Sequence, residues 1–200
     1  MGWQETFEKI ASELMKNPTH DFGHAQRVCA ISIRLAREEH ADEDVVKAAA
    51  LLHDVGYSLD EKEHEGKSIE VARSLIDMTD FPRERKEKVL QCVREHRFSK
   101  GGKALSLEAE ILQDADRLDA IGAVGIARCF LWSGEHRKVL QEAVKHFDEK
   151  LLKLKDTMNT EGGKKMAEER HRFMLEFLKE LECEGVASIP QTSATEPSYR

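Results

Sequence analysis

Several side chains able to bind cations or move protons sit where helical spacing leads one to expect apolar residues. The stripe Val28, Ile31 and Leu35 extends back by one turn to His24. Stepping from Val46 and Ala50 at the same spacing lands on His53, and Val89 and Val93 lead to His96. Leu112, Asp119 and Ala123 share a face with Asp116. A lone inward histidine is more often a hydrogen-bonded core residue than a ligand. Several inward imidazoles and carboxylates together are another matter, because each uncompensated buried charge costs several kcal/mol. A shared divalent cation removes that cost, since carboxylate oxygens and neutral imidazole nitrogens both coordinate it. Asp54 directly follows His53. Neighbours on a helix project about 100° apart, so the two reach one ion only at a helix end, and Val55-Gly56 offers such an end. The competing reading leaves Asp54 facing water at that terminus. Periodicity alone does not show that these faces meet.

The elements that must carry these residues read as helices. Only four prolines and two tyrosines occur, and runs of good helix formers fill the chain. Spacing predicts a first helix over about 3–16, stopped by Asn17-Pro18, and a second over about 21–39. A third is capped by Asp42 and ends near Val55-Gly56, and a fourth covers about 63–78. Pro82 suits the first turn of a fifth that reaches His96. A sixth is expected over 107–132, ended by Ser133-Gly134, and a seventh over 135–158. Gly162-Gly163 then separates it from an eighth ending near Glu184. No strand period and no internal repeat is evident. The expectation is an all-α single domain, a compact bundle of about seven to eight helices over residues 1–184. A flexible C-terminal tail is expected over 185–200, where Pro190 and Pro197 lie among Ser and Thr.

A net charge of −7 makes the chain a poor general nucleic-acid binder, although a pocket can still be locally positive. The four cysteines, Cys29, Cys92, Cys129 and Cys183, form no CxxC pair, which argues against a zinc ribbon or a disulfide scaffold. The first three read as small core residues in a reducing cytoplasm. The opening MGWQETFEKI is unlike a secretory signal, and no apolar run approaches the 18 residues or so that a membrane span needs. A cytoplasmic protein, monomer or homodimer, is expected.

The segments HDFGHAQRV, LLHDVGY and LQDADRLDAIGAVGIAR resemble the three sequence blocks of the HD superfamily of metal-dependent phosphohydrolases. Within it the likeness is greatest to the bacterial YpgQ/YedJ-type nucleotide pyrophosphohydrolase branch, through EHRFS, KLLKLKDTMNT and RHRFMLEFL as well. Together these segments cover roughly residues 20 to 180. The resemblance implies that His24, His53, Asp54 and Asp116 bind a divalent metal. Two imidazoles and two carboxylates suit Mn²⁺, Co²⁺, Ni²⁺ or Fe²⁺, with Zn²⁺ possible and Mg²⁺ less natural because of the histidines, and the branch points to manganese first. It implies hydrolysis of a nucleoside triphosphate to monophosphate and pyrophosphate. Two departures stand out. The linker after Gly134 is shorter than in some relatives, and Val55-Gly56-Tyr57 follows the doublet where several nucleotidase branches carry a water-activating Glu.

A bound ion lowers the pKa of water and polarises a phosphoryl oxygen, which makes His53 and Asp54 catalytic as well as ligating. His96 is expected to donate a proton to a phosphate or leaving group, or to bind a second metal. Arg27, Lys67, Arg97 and Arg117 are the candidate substrate-binding cations. Between Arg83 and Lys103 eight Lys and Arg stand against three Glu, although for most such residues a solvated helix face is the plainer reading. Lys153 or Lys155 could reach a phosphate from an amphipathic KLLKLKDTMNT helix. His20 and Asp21 either orient His24 or cap its helix. His64 reads as a surface residue, and His40, His136, His146 and His171 have no special claim. The alternatives are a monophosphatase or cyclic-nucleotide phosphodiesterase, and a non-catalytic nucleotide sensor whose metal is structural.

Overall fold

A computed structural model describes residues 2–60, 62–96 and 104–186. Among these residues there are nine α-helices: α1 Trp3–Leu14, α2 Phe22–Glu39, α3 Glu43–Leu52, α4 His64–Met78, α5 Lys86–Glu95, α6 Leu107–Asp119, α7 Gly122–Glu135, α8 Leu140–Glu149 and α9 Glu161–Cys183. None of them is long and apolar enough to cross a membrane. Most of the expected tail, 187–200, lies outside the described residues.

The central element is α3. Val45, Val46, Ala48, Ala49, Ala50, Leu51 and Leu52 are all buried, so the helix is apolar around almost its whole girth and must be enclosed. Its first turn is capped by Asp42, which accepts from the backbone N–H groups of Asp44 and Val45. Helix α2 packs on α3 and α6, and α5 packs on α3, α4 and α6. The inward stripe of α2 is the expected one, with Val28 and Leu35 fully buried and Ile31 nearly so. Helix α1 is held by Trp3 and Phe7, whose rings meet Phe81, and by the Trp3 N–H donating to Asp80 Oδ1 at 2.6 Å.

Three local expectations change. The first concerns the stretch read as strandless: a two-residue ladder, β1 Lys16–Asn17 against β2 His20–Asp21, precedes α2. Asn17 Oδ1 accepts from the N–H groups of Thr19 and His20, so its side chain builds the turn. The second is the single helix expected over 107–132, which breaks after Asp119 into α6 and α7. Gly122 takes a φ of +76°, and a Cβ on Gly125 would lie 2.2 Å from Ala120 O, so the two glycines permit the turn. The third is the helix expected over 135–158, which becomes α8 followed by a 3-10 helix, Leu151–Thr157. With about three residues per turn, Leu151, Leu154 and Thr157 fall on one side. The break after Asp119 raises the number of α-helices among the described residues above the expected seven to eight.

Candidate metal centre

Four mutually packed helices bring their ends together. His24 occupies the first turn of α2, where Asp21 caps the helix by accepting the His24 N–H at 2.7 Å. His53 is the residue after α3, and Asp54 follows in the turn. His96 is the residue after α5, and Asp116 lies on α6. His24 and His53 are fully buried, and Asp54 and His96 nearly so. The Nε2 atoms of His24 and His53 lie 3.2 Å apart. Asp54 Oδ2 is 3.8 Å from His24 Nε2 and 3.5 Å from His53 Nε2, and Asp116 Oδ1 is 3.6 Å from His24 Nε2. The other oxygen of Asp54, Oδ1, faces His96 Nε2 at 3.4 Å.

The hydrogen bonds decide what this cluster can hold. His53 Nδ1 is 2.8 Å from Ala50 O, and a carbonyl only accepts, so Nδ1 carries the proton. His24 Nδ1 is 2.8 Å from a carboxylate oxygen of Asp119, with the same consequence. With Nδ1 so committed, each ring points Nε2 at the other, with two carboxylates alongside. Two nitrogen and several carboxylate-oxygen ligand atoms so close together fit a cation. His24, His53 and Asp54 offer atoms within 4.8 Å of one another, as do Asp54, His64 and His96. Burial holds His53 below the usual imidazole range. Burial alone would raise Asp54, but His53 and His96 outweigh it and hold the carboxyl well below its ordinary value. His96 is raised, because the hydrogen-bonding and charge of Asp54 overcome the effect of burial.

The cluster forms one end of a cleft of about 880 Å³. His20, Asp54, His96 and Asp116 line that end, while Lys138, Lys150 and Lys153 line the wall built from α7, α8 and the 3-10 helix. Leu151, Leu154 and Thr157 line it too, which is the face created by the 3-10 turn. The expected cations sit differently. Arg27 is engaged with Asp119, its Nε 2.7 Å from Oδ1, and is not part of the cleft wall. Lys67 pairs with Glu70 at 2.9 Å on the exposed face of α4, also away from the cleft. Arg117 borders the cleft, but its guanidinium donates to Gln113 Oε1 at 2.9 Å and to Thr157 O, tying α6 to the 3-10 helix. Arg97 lies outside the described residues. Lys155 pairs with Asp156 and Glu168.

His64 corrects its surface reading: it is 2% exposed and packs beside Tyr57. The signal was present, since His64, Ser68, Ala72 and Ile76 recur every four residues along α4, all buried. His20 was given no more than a supporting role. It lines the cleft, stacked on Tyr57 with its Nε2 3.9 Å from Asp54 Oδ2. Arg128 carries no local sequence signal for the site, because only the break between α6 and α7 brings it to Asp119.

The HD domain family matches residues 21–121. YpgQ of Bacillus subtilis (strain 168) is 40% identical over 173 residues, 82% of this chain and 83% of its own. The chain belongs to the HD superfamily. The crystal structure of B. subtilis YpgQ in complex with ADP superimposes on this HD protein with a TM-score of 0.79 and 32% identity, covering 92% of this chain and 100% of that one. An HD-superfamily hydrolase from Bacillus thuringiensis gives a TM-score of 0.72 at 34% identity over 93% of this chain and 100% of its own. Another, from an uncultured Thermotogales bacterium, gives 0.71 at 31% over 92% and 94%. The HD protein is a metal-dependent phosphohydrolase, and its buried His/Asp cluster is able to hold a divalent ion.

Proposed function

We propose that this HD phosphohydrolase cleaves nucleoside triphosphates to nucleoside monophosphate and pyrophosphate, with His24, His53, Asp54 and Asp116 holding the metal and manganese as the preferred ion. The observation that carries this is the pair of facing Nε2 atoms, flanked by two carboxylates, at the inner end of a nucleotide-sized cleft. Ligand pockets span roughly 300–1,000 Å³, and about 880 Å³ falls within that range. The ADP complex of the B. subtilis relative supports a nucleotide as the ligand.

When bound, a divalent ion supplies an activated water and polarises a phosphoryl oxygen. The chain's own residues do the rest. His53 and Asp54 fix the geometry of the centre from the end of α3. His96, a cleft-lining residue with its Nδ1 committed to Val93 O at 2.6 Å and its Nε2 beside Asp54 Oδ1 at 3.4 Å, is the group to pass a proton to a phosphoryl or leaving-group oxygen. Lys138, Lys150 and Lys153 face the anionic substrate from the opposite wall, where they oppose the charge of the phosphates.

The test is a nucleotide panel assayed with Mn²⁺, Co²⁺, Mg²⁺ or chelator, with products separated. The expected outcome is monophosphate plus pyrophosphate, best with Mn²⁺, abolished by chelator, and reduced roughly a hundredfold or more by His53→Ala. Orthophosphate as the sole product would instead establish a phosphatase. A tightly held metal without turnover of any phosphorylated substrate would establish a sensor.

A further inference from the structure

Asp119 is 1% exposed and carries no lone oxygen. Oδ2 accepts from His24 Nδ1 at 2.8 Å, Arg128 Nη1 at 2.6 Å and Arg27 Nη2 at 3.1 Å, while Oδ1 accepts from Arg27 Nε at 2.7 Å. A histidine whose two nitrogens are equally placed spends part of its time with Nε2 protonated, and in that form cannot accept a cation. A charged carboxylate against Nδ1 removes that state and fixes the ring angle.

The carboxylate must itself be fixed. Arg27 does this from α2, one turn after His24. Arg128 arrives by a less obvious route. In an unbroken helix, residues nine apart are about 13.5 Å apart along the axis, too far for the observed contact. The turn at Ala120–Ile121 sends α7 back so that Arg128 lies over Asp119. The same guanidinium reaches a third element, because Nη2 donates to Thr19 O at 2.5 Å in the turn that carries His20. One side chain thus spans α7, the end of α6 and the β1–β2 turn, at the edge of the cleft.

We propose that Arg128 is a positioning residue of the metal centre. It braces Asp119 behind His24 and holds the His20 turn against α7, and it does not serve as a phosphate ligand. This rests on His24 being a metal ligand.

The test measures Mn²⁺ dissociation constants by EPR titration, together with kcat and KM for a nucleoside triphosphate, in Arg128→Gln, Asp119→Asn and the double variant of the full chain. Each single variant should weaken Mn²⁺ binding about 10- to 100-fold while KM stays within about threefold. The double variant should be no weaker than the worse single one, because both act through the same contact. Arg128→Lys should recover part of the affinity, since it keeps the charge beside Asp119 but loses the second arm. A raised KM with unchanged Mn²⁺ affinity would make Arg128 a phosphate ligand and overturn the proposal, as would additive losses. Nitrogen-15 NMR of metal-free wild-type protein tests the same idea without a variant that has to fold: His24 should be protonated at Nδ1, and a proton on Nε2 would refute it. A wild-type protein that binds no Mn²⁺ would remove the His24 assignment itself, an outcome distinct from variants that bind normally.

Discussion

His20 shows how one residue's surroundings set the behaviour of the molecule. Its ring stacks on Tyr57 with centroids 4.2 Å apart, and burial, the largest influence, pushes its pKa down to about 4 against the pull of Asp54. In the unfolded chain the same residue titrates near the ordinary imidazole value of 6.5. The unfolded state therefore takes up the proton first as pH falls. The stability this residue contributes is complete above pH 6.5 and is lost as pH drops toward 4. His96, whose pKa is raised, works in the opposite sense and is common to both proteins in the comparison that follows. In thermal melts with chelator, wild type should lose more stability than His20→Gln between pH 7 and about 5. Equal losses would show that His20 titrates normally in the folded protein. At this scale the sequence was informative about the buried His24, His53 and His96, because each continues an apolar stripe by one helical step, while Asp54 was open to two readings at the helix end. The sequence was silent on the pairing of Asp119 with two arginines 92 residues before and nine residues after it.

Among the elements, the break between α6 and α7 matters most, since it brings Arg128 to the site and turns the cleft wall toward the metal cluster. A Cβ on Gly125 would meet Ala120 O at 2.2 Å, a backbone atom that cannot step aside without moving the turn. Gly125→Ala should cost roughly 1–3 kcal/mol in urea denaturation and also weaken Mn²⁺ binding. Gly134→Ala is the control: nothing lies within 4 Å of its Cβ, and in a helix the change should be neutral or stabilise by up to about 1 kcal/mol. Comparable losses in the two variants would mean that the close approach at Gly125 is not what sets the turn. The helices α1 to α5 were legible because apolar residues recur at helical spacing there, and in α2 and α3 the caps Asp21 and Asp42 agree with it. The stretch 107–132 misled because LDAIGAVGIAR is apolar and proline-free, so only its glycines mark the turn.

For the whole molecule, the proposed centre joins the ends of α2, α3 and α6, elements that a bound ion must find already assembled. Metal binding is then coupled to global stability. At Mn²⁺ one hundredfold above its dissociation constant the protein should gain about 2.7 kcal/mol, a rise in melting temperature of about 5–10 °C for a domain of this size. The comparison is with chelated protein by calorimetry. His53→Ala should lose that shift, and a wild-type melting temperature indifferent to Mn²⁺ would count against a site formed from separate helices. A chain with a net charge of −7 still carries cations in its cleft, where Lys138, Lys150 and Lys153 stand beside Glu142 and Glu149.

The order of amino acids determined, by itself, that the chain is helical, which face of each early helix turns inward, and that histidines and aspartates sit on those faces. These are properties of residues a few positions apart, where a repeat of 3.6 acts directly. Only the tertiary structure decided which faces meet and which cations reach the cleft. It buried His64, engaged Arg27 and Arg117 elsewhere, and returned Arg128 to Asp119. Such contacts depend on where the chain turns, and a turn that rests on two glycines leaves almost no trace in local periodicity.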